Sequence, residues 1–527
     1  MKKKTLFLLF IISLGVALLA AWFERVPGYM DAEYYFNGAV QMASGFGWRE
    51  MFVWNYLDNP AGLPHVGYVY WMPLASILAV PGMVLFNSTS FTAGRLLPLI
   101  LAALIPPVTA SLSYKVFKRN DFALLSAGLA LFPGFYLIYN TNIETFTPFM
   151  LLGALFLWVG FNNENKPSVK DSILIGFICG FMHLARSDGL LWLVAACLLI
   201  SVRIWGNKGD GRGRYPSLLR HTGLIILVYG CVMSIWYLRN LSEFNSLFPL
   251  GNSRVLWLTS YNQLFVYPAE MLNVQNWLDS GWINILSSRW SAGLDNLKTL
   301  LGVQGLVFLL PLIIIGIIQN RQRMIVRFGV AMWLTLFLVM SLVFPFAGAR
   351  GGFFHSGSSI QVFLWVMAPP GLETFIRWMA RRRSWNIPQA NRVFSLGLVM
   401  ISMVVSGYLY WYLVIGGNIN QPVWENDSRQ AQEIETWLVN HQIKPSEAIF
   451  INNPPGYYSA TGRPAYVIPD VGPQRLLDAA RQYQVDYLVL EKSHVEGMND
   501  LYLHPESQPA FRYMGSIHET LIFEMTP

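Results

Sequence analysis

Asp31 and Glu33 stand two residues apart in Pro27-Gly28-Tyr29-Met30-Asp31-Ala32-Glu33-Tyr34-Tyr35. Two carboxylates beside aromatic rings can supply a general base or ligate a divalent cation. A solvated loop or a helix cap would use the same residues. Glu144 ends Asn140-Thr141-Asn142-Ile143-Glu144, where an acid can serve chemistry or simply begin the next helix. Arg186 and Asp188 share the turn Ala185-Arg186-Ser187-Asp188-Gly189, which suits a phosphate site or a local ion pair and cap. Arg350 and His355 lie in Gly348-Ala349-Arg350-Gly351-Gly352-Phe353-Phe354-His355-Ser356. A glycine-rich loop with these two side chains can hold a phosphate, and it can equally anchor a helix start. His65 is a further candidate whose simplest role is structural.

The elements that position these residues are apolar. Of 527 residues, 54% are hydrophobic and 13% charged, and the mean hydropathy is +0.39. A soluble domain carries about 25% charge, so a soluble enzyme, a disordered chain and a nucleic-acid-binding chain are excluded. Cys179, Cys197 and Cys231 all fall inside apolar runs. An odd, widely spaced set fits helix packing, not disulfides or a metal knuckle.

A bilayer core needs about 20 apolar residues per helix. Eleven runs qualify: Leu6–Phe23, Thr92–Tyr114, Phe122–Tyr139, Thr145–Phe161, Ser172–Ala185, Gly189–Trp205, Thr222–Leu238, Val303–Ile318, Phe328–Phe344, Ile360–Phe375 and Val393–Val414. The first follows Lys2–Lys4. It is longer than a signal-peptide core and ends in Trp22-Phe23, so we read it as a retained helix. With a cytoplasmic N-terminus, 21 of the 37 basic residues fall in inside segments, nine in outside loops and seven in the tail. This is the asymmetry that membrane insertion favours. It holds only if a twelfth run, Val66–Phe86, does not span. Pro73 and Pro81 suit that run to a helix lying at the interface. All four chemical segments then sit at outer ends of helices, and the helix interiors hold almost no ionisable residue. Transporters commonly place such residues near the midplane, so the pattern predicts a reaction at the outer face. A second long outside loop, 239–301, is rich in Trp and Tyr, as headgroup-level segments are.

The tail, Asn418–Pro527, changes composition. Ser428–Gln442 and Pro473–Gln484 read as helices, Ala448–Asn452 and Val485–Leu490 as strands, and Arg512–Ser516 with Leu521–Met525 as a closing hairpin. Alternating helix and strand predicts a small extracytoplasmic α/β domain. The organisation expected is therefore residues 1–417, an α-helical polytopic domain of about eleven spans plus an interfacial helix, and residues 418–527, the α/β domain.

This arrangement resembles the polyprenyl-phosphate-dependent membrane glycosyltransferases of the GT-C superfamily. It is most similar to glycosyltransferase family 39, the group containing protein O-mannosyltransferases and lipid A aminoarabinose transferases. Asp31 in Met30-Asp31-Ala32-Glu33-Tyr34-Tyr35 matches the family's first acid. Pro64-His65 through Trp71-Met72-Pro73-Leu74 resembles its His-Pro-Pro-Leu region in split form. Glu144 stands where many members have Asp, and Leu184–Leu191 resembles a frequent family segment. The likeness covers roughly the first 200 residues in motif and the rest in topology.

The resemblance implies a GT-C-like fold in the cell membrane, with the C-terminal domain outside. It implies transfer of a hexosyl or pentosyl group from a polyprenyl-phosphate donor, with inversion, to a hydroxyl of a lipid, glycan or protein. Asp31 would be the base, with Glu33 or Glu144, the other two catalytic residues, orienting the acceptor or binding a metal. Substrate would be held by Arg350, Arg186, Asp188, His355, His65 and Tyr34. Partners are the lipid-linked donor, its acceptor and membrane lipids, with no nucleic acid. The sequence neither requires a divalent cation nor argues against one. The rival classes are a transporter or flippase of lipid-linked sugars, which the bare helix interiors disfavour, and a polysaccharide ligase or polymerase.

Overall fold

The computed structural model describes residues 1–162, 167–206, 214–470 and 472–526. Lys166, Lys208 and Arg212, which entered the count of inside charges, lie outside the described residues.

The chain is a polytopic helical membrane protein with a C-terminal α/β domain. Each apolar run yields a helix. Among the described residues six are long and apolar enough to cross a bilayer by themselves: Lys3–Phe23, Leu96–Phe117, Ser187–Trp205, Arg214–Phe244, Met324–Val343 and Ile387–Ile415. Shorter or less apolar helices, such as Phe146–Gly160, Val169–Ala185 and Phe353–Arg383, pack inside the bundle. The Val66–Phe86 run gives only Leu74–Leu85, 12 residues. At 1.5 Å per residue it is about 18 Å long, well short of a bilayer core of about 30 Å.

One run is divided. Val303–Ile318 reads as continuous, but the helix entering it ends at Gln304, and a new one runs from Leu310 to Asn320. Leu306 and Val307 between them take positive φ, 43° and 56°. Apolar composition carries no sign of such a break.

The helices alternate in direction, so their polar ends collect in two layers. At one end Arg119 Nη1 meets Glu373 Oε2 at 2.7 Å, Arg203 Nη1 donates to the Gly160 carbonyl at 2.7 Å, and Arg323 Nη1 donates to the Val116 carbonyl at 2.6 Å. At the other end lie the four chemical segments. Close helix contact sets their spacing. Phe146–Gly160 touches Phe353–Arg383 at Gly153, where an added Cβ would sit 1.8 Å from the Ser359 carbonyl oxygen. Small residues allow this backbone approach in membrane bundles. The contact holds the loop ending at Glu144 beside His355.

The C-terminal domain is a six-stranded sheet. Its order is Phe52–Val53, Ala465–Val467, Ile449–Ile451, Tyr487–Leu490, Thr520–Met525, Phe511–Ile517. Asn426–Asn440, Pro454–Thr461 and Pro473–Tyr483 are its main helices. The first four strands pair in parallel and the last two close as an antiparallel hairpin. The edge strand comes from the loop that follows the helix Met30–Ala43: Phe52 registers with Ala465 and Val53 with Tyr466.

Candidate active site

Asp31 lies in the first turn of the helix Met30–Ala43, where the helix dipole favours a carboxylate. Its side chain is 29% exposed, opening into a cavity of about 440 Å³. The same cavity is lined by Arg186, Asp188, Arg350 and His355. Five residues proposed from three separate segments thus meet in one place, and Glu144 of the fourth segment adjoins them at His355.

His355 stands between two carboxylates. Its Nε2 is 3.6 Å from Asp31 Oδ2 and its Nδ1 is 3.7 Å from Glu144 Oε1. Both distances exceed a hydrogen bond, so the ring packs against the two carboxyls without bonding to either. The imidazole is fixed by stacking on Phe146, with ring centroids 3.9 Å apart at 22°. Glu144 is held more firmly. Its Oε1 accepts from the Thr145 amide at 2.5 Å and hydroxyl at 2.8 Å, and its Oε2 accepts from the Tyr29 hydroxyl at 3.3 Å. Burial pushes both carboxyls above the ordinary carboxylate range. The Arg186 guanidinium offsets part of this for Asp31, whereas the charge of Asp31 raises Glu144 further. Burial and mutual repulsion therefore make it costly for both carboxyls to be ionised together.

The cations face this pair. Arg186 Nε binds Asp188 Oδ1 at 2.8 Å, and Asp188 also accepts from the Ser356 hydroxyl. That leaves the Nη groups of Arg186 without a hydrogen-bond partner among the described residues. Arg350 lies over the Tyr261 ring at 4.8 Å and makes no ion pair among the described residues. Below them the wall turns apolar, with Leu190, Leu191, Val339, Met340 and Phe344 from the spanning helices. An aromatic wall completes the cavity: Trp54 and Trp71, stacked at 4.1 Å, with Tyr35 and Tyr70.

Three proposed residues stand elsewhere. Glu33 is buried against the C-terminal domain, where Asn453 Nδ2 donates to its Oε2 at 2.8 Å. Burial pushes its carboxyl up to about 7, against the bond from Asn453. His65 is buried between Asp58 Oδ2, 3.0 Å from its Nε2, and Glu50 Oε2, 3.5 Å from its Nδ1. Burial disfavours its charge, but the two carboxylates outweigh this and raise it to about 9. It ties down the loop between the helices Met30–Ala43 and Leu74–Leu85. Tyr34 is fully packed, and its hydroxyl accepts from the Tyr68 amide at 2.7 Å.

Other cavity residues carried no sequence signal that singled them out. His183 lines the cavity from within an apolar helix, three residues before Arg186, and its Nδ1 pairs with the Tyr229 hydroxyl at 2.6 Å. Tyr261 and the stacked tryptophans come from loops without periodicity.

As for a metal, the imidazole of His355 occupies the gap between the two acids. Among the described residues no group of three His, Cys, Asp or Glu side chains is spaced to hold an ion. The donor set does not fit a metal centre.

No protein-family model matches the sequence, and no curated protein sequence does. Solved structures do match the fold. ArnT from Cupriavidus metallidurans bound to undecaprenyl phosphate superposes with a TM-score of 0.56 at 10% identity, covering 99% of this chain and 98% of that one. The Archaeoglobus fulgidus oligosaccharyltransferase in complex with Zn and sulfate gives 0.57 at 13%, covering 96% and 71%. Its complex with an inhibitory peptide and a dolichol-phosphate gives 0.52 at 11%, covering 93% and 69%. The fold is GT-C.

Proposed function

We propose that this chain is a membrane glycosyltransferase that takes a sugar from a polyprenyl-phosphate donor and passes it to an acceptor hydroxyl at the extracytoplasmic face. One observation carries the reading. A single cavity holds a carboxylate beside arginines with free donor groups, and its wall continues into the apolar faces of spanning helices. A ligand with a polar head, a phosphate and a long apolar tail fits that gradient. The fold it shares with ArnT, solved with undecaprenyl phosphate, supports the donor class.

In this reading the acceptor oxygen attacks the anomeric carbon from the side of Asp31, which takes the hydroxyl proton. The bond from the anomeric carbon to the phosphate oxygen breaks, and its electron pair leaves with the lipid phosphate. Attack opposite the leaving group inverts the anomeric centre. Arg350 and the free Nη groups of Arg186 meet the charge developing on the phosphate, an interaction strengthened where water is excluded. His355 packs between Asp31 and Glu144 and keeps the two carboxyls apart. The helical part, residues 1–417, does the chemistry, and residues 418–527 form the outer domain. The N-terminus lies in the cytoplasm and the C-terminus outside, in keeping with the 21-to-9 division of basic residues.

The test uses full-length protein in lipid nanodiscs with a panel of polyprenyl-phosphate hexoses and pentoses. Membranes from cells lacking the protein supply the acceptor. Mass spectrometry should show one donor consumed and polyprenyl phosphate released. A panel in which no donor is consumed, together with no lipid-linked sugar accumulating in the deficient cells, refutes the reading.

A further inference from the structure

The helix that opens with Asp31 is gripped along its other face by the C-terminal domain. Residues 33, 37 and 41 fall four apart on one side of Met30–Ala43, and each bonds to one short segment. Asn453 Nδ2 donates to Glu33 Oε2 at 2.8 Å, Asn37 Nδ2 donates to the Pro455 carbonyl at 2.8 Å, and Gln41 Nε2 donates to the Tyr458 hydroxyl at 3.2 Å. Asn453 does two jobs with one amide, since its Oδ1 also accepts from the Gly456 amide at 3.1 Å and caps the helix Pro454–Thr461. Gly456 is needed for the approach: a Cβ there would lie 2.5 Å from Glu33 Oε2.

A second grip lies on the other side of Asp31. Trp424 Nε1 donates to the Val26 carbonyl at 3.0 Å. Its ring covers Gly28, whose φ is +82° and where a Cβ would fall 2.2 Å from the indole. It also meets Tyr29 edge-on at 5.7 Å, and Tyr29 is the residue that donates to Glu144. The catalytic turn is thus pinned just before and just after Asp31. Neither Asn453 nor Trp424 lines the cavity.

We propose that the C-terminal domain is a positioning module for the catalytic turn, with Asn453 and Trp424 as its positioning residues. The proposal rests on the reading of Asp31 as the base. Bonds at a four-residue period fix the rotation of a helix about its axis, and rotation is the motion that would swing Asp31 away from the cavity. A misplacement of about 1 Å can cost about 10²-fold in rate, so a domain that touches no substrate can still set turnover.

The test is a reversal of the hydrogen bond in full-length protein in nanodiscs. Asn453→Asp keeps the oxygen that caps Gly456 and sets a second acid against Glu33. Glu33→Gln with Asn453→Asp restores one donor and one acceptor across the same gap, in the opposite sense. Asn453→Asp should lower kcat about tenfold or more while the donor KM stays within about twofold. Amide hydrogen exchange across residues 29–43 should quicken, and the double variant should recover both measures. A double variant no better than the single, or an Asn453→Asp protein with unchanged kcat and unchanged exchange, overturns the proposal. Trp424→Phe gives a second route if Asn453→Asp fails to fold: it keeps an aromatic ring over Gly28 but loses the bond to Val26. It should lower kcat with donor KM held and quicken exchange near Tyr29, and wild-type behaviour in both overturns the proposal. Should the wild type transfer no sugar, the functional reading fails, and the exchange measurements still decide whether the domain holds the turn.

Discussion

Asp31→Asn separates charge from shape. The substitution is isosteric, and Asp31 accepts no hydrogen bond from any described residue; its nearest ion-pair contact is His355 Nε2 at 3.6 Å. Little folding energy therefore depends on the carboxylate, and the variant should insert and melt as the wild type does. Its catalytic effect should be large. A positioned general base contributes about 10²–10⁴-fold, equivalent to about 2.7–5.4 kcal/mol at about 1.36 kcal/mol per decade. The loss should fall on kcat. Arg186 also loses a competing anion, so the KM for the donor should hold or fall. Glu144→Gln gives the internal control. Glu144 sits behind His355 and is bound by Thr145 and Tyr29, so its loss should cost less than that of Asp31. Single-turnover transfer in nanodiscs, with donor binding measured separately, resolves the two variants. An Asp31→Asn enzyme within about threefold of wild type (well under the 10²-fold floor for a base) refutes the assignment. A larger loss in Glu144→Gln than in Asp31→Asn exchanges their roles.

Arg350→Ala should raise the donor KM about tenfold to 10²-fold, because a charge-assisted bond to phosphate is worth about 1.5–3 kcal/mol, while kcat falls less. Arg186→Gln should move the acid limb of the kcat profile to higher pH. Burial already raises the Asp31 carboxyl and Arg186 opposes that rise; without the guanidinium the base stays protonated, and inactive, to a higher pH. Reporter fusions after Lys118 and after Asn420 should give inside and outside signals, respectively, and the opposite result at either point refutes the orientation.

Much of the bundle was legible because a bilayer imposes it: a helix that must satisfy its own backbone in lipid needs a long apolar run, and such runs are visible. Convergence of the site followed from alternation. Once the helices run up and down, the segments at 31, 144, 186 and 350 must share one face. Which side chains point inward was not legible without the local structure. Read as a loop, Asp31 and Glu33 form a pair. On a helix, residues two apart face away from each other and residues four apart share a face. Glu33 accordingly turns to Asn453, while Tyr35 joins Asp31 in the cavity. Tyr34 and His65 were lost to partners distant in sequence, Tyr68 for one and Glu50 with Asp58 for the other. The strand Phe52–Val53 is two residues long, too short for any alternation to show.

The placement of polar groups bears on the choice between moving a sugar across the membrane and transferring it at one face. A carrier must replace the hydration of a sugar phosphate at every depth, which calls for polar groups open to a path through the bundle. Several polar side chains inside the described helices are instead bonded to one another. Ser126 donates to Ser113, Gln361 donates to the Gln304 carbonyl, Trp333 donates to the Gln304 side chain, and Asn296 donates to Ser341. These bonds tie helices together, and the polar atoms left over, Gln304 Nε2, Gln361 Oε1 and Asn296 Oδ1, are sealed within the packing and not open to a path. The buried ionisable groups of the helices lie near the ends: Arg203 close to the Gly160 carbonyl in one layer, His183 at the cavity in the other. A lipid-linked donor does not need to cross such a bundle. Its tail can stay among the apolar helix faces while its phosphate meets Arg350 and Arg186, and the bond to the sugar then lies where Asp31 can act.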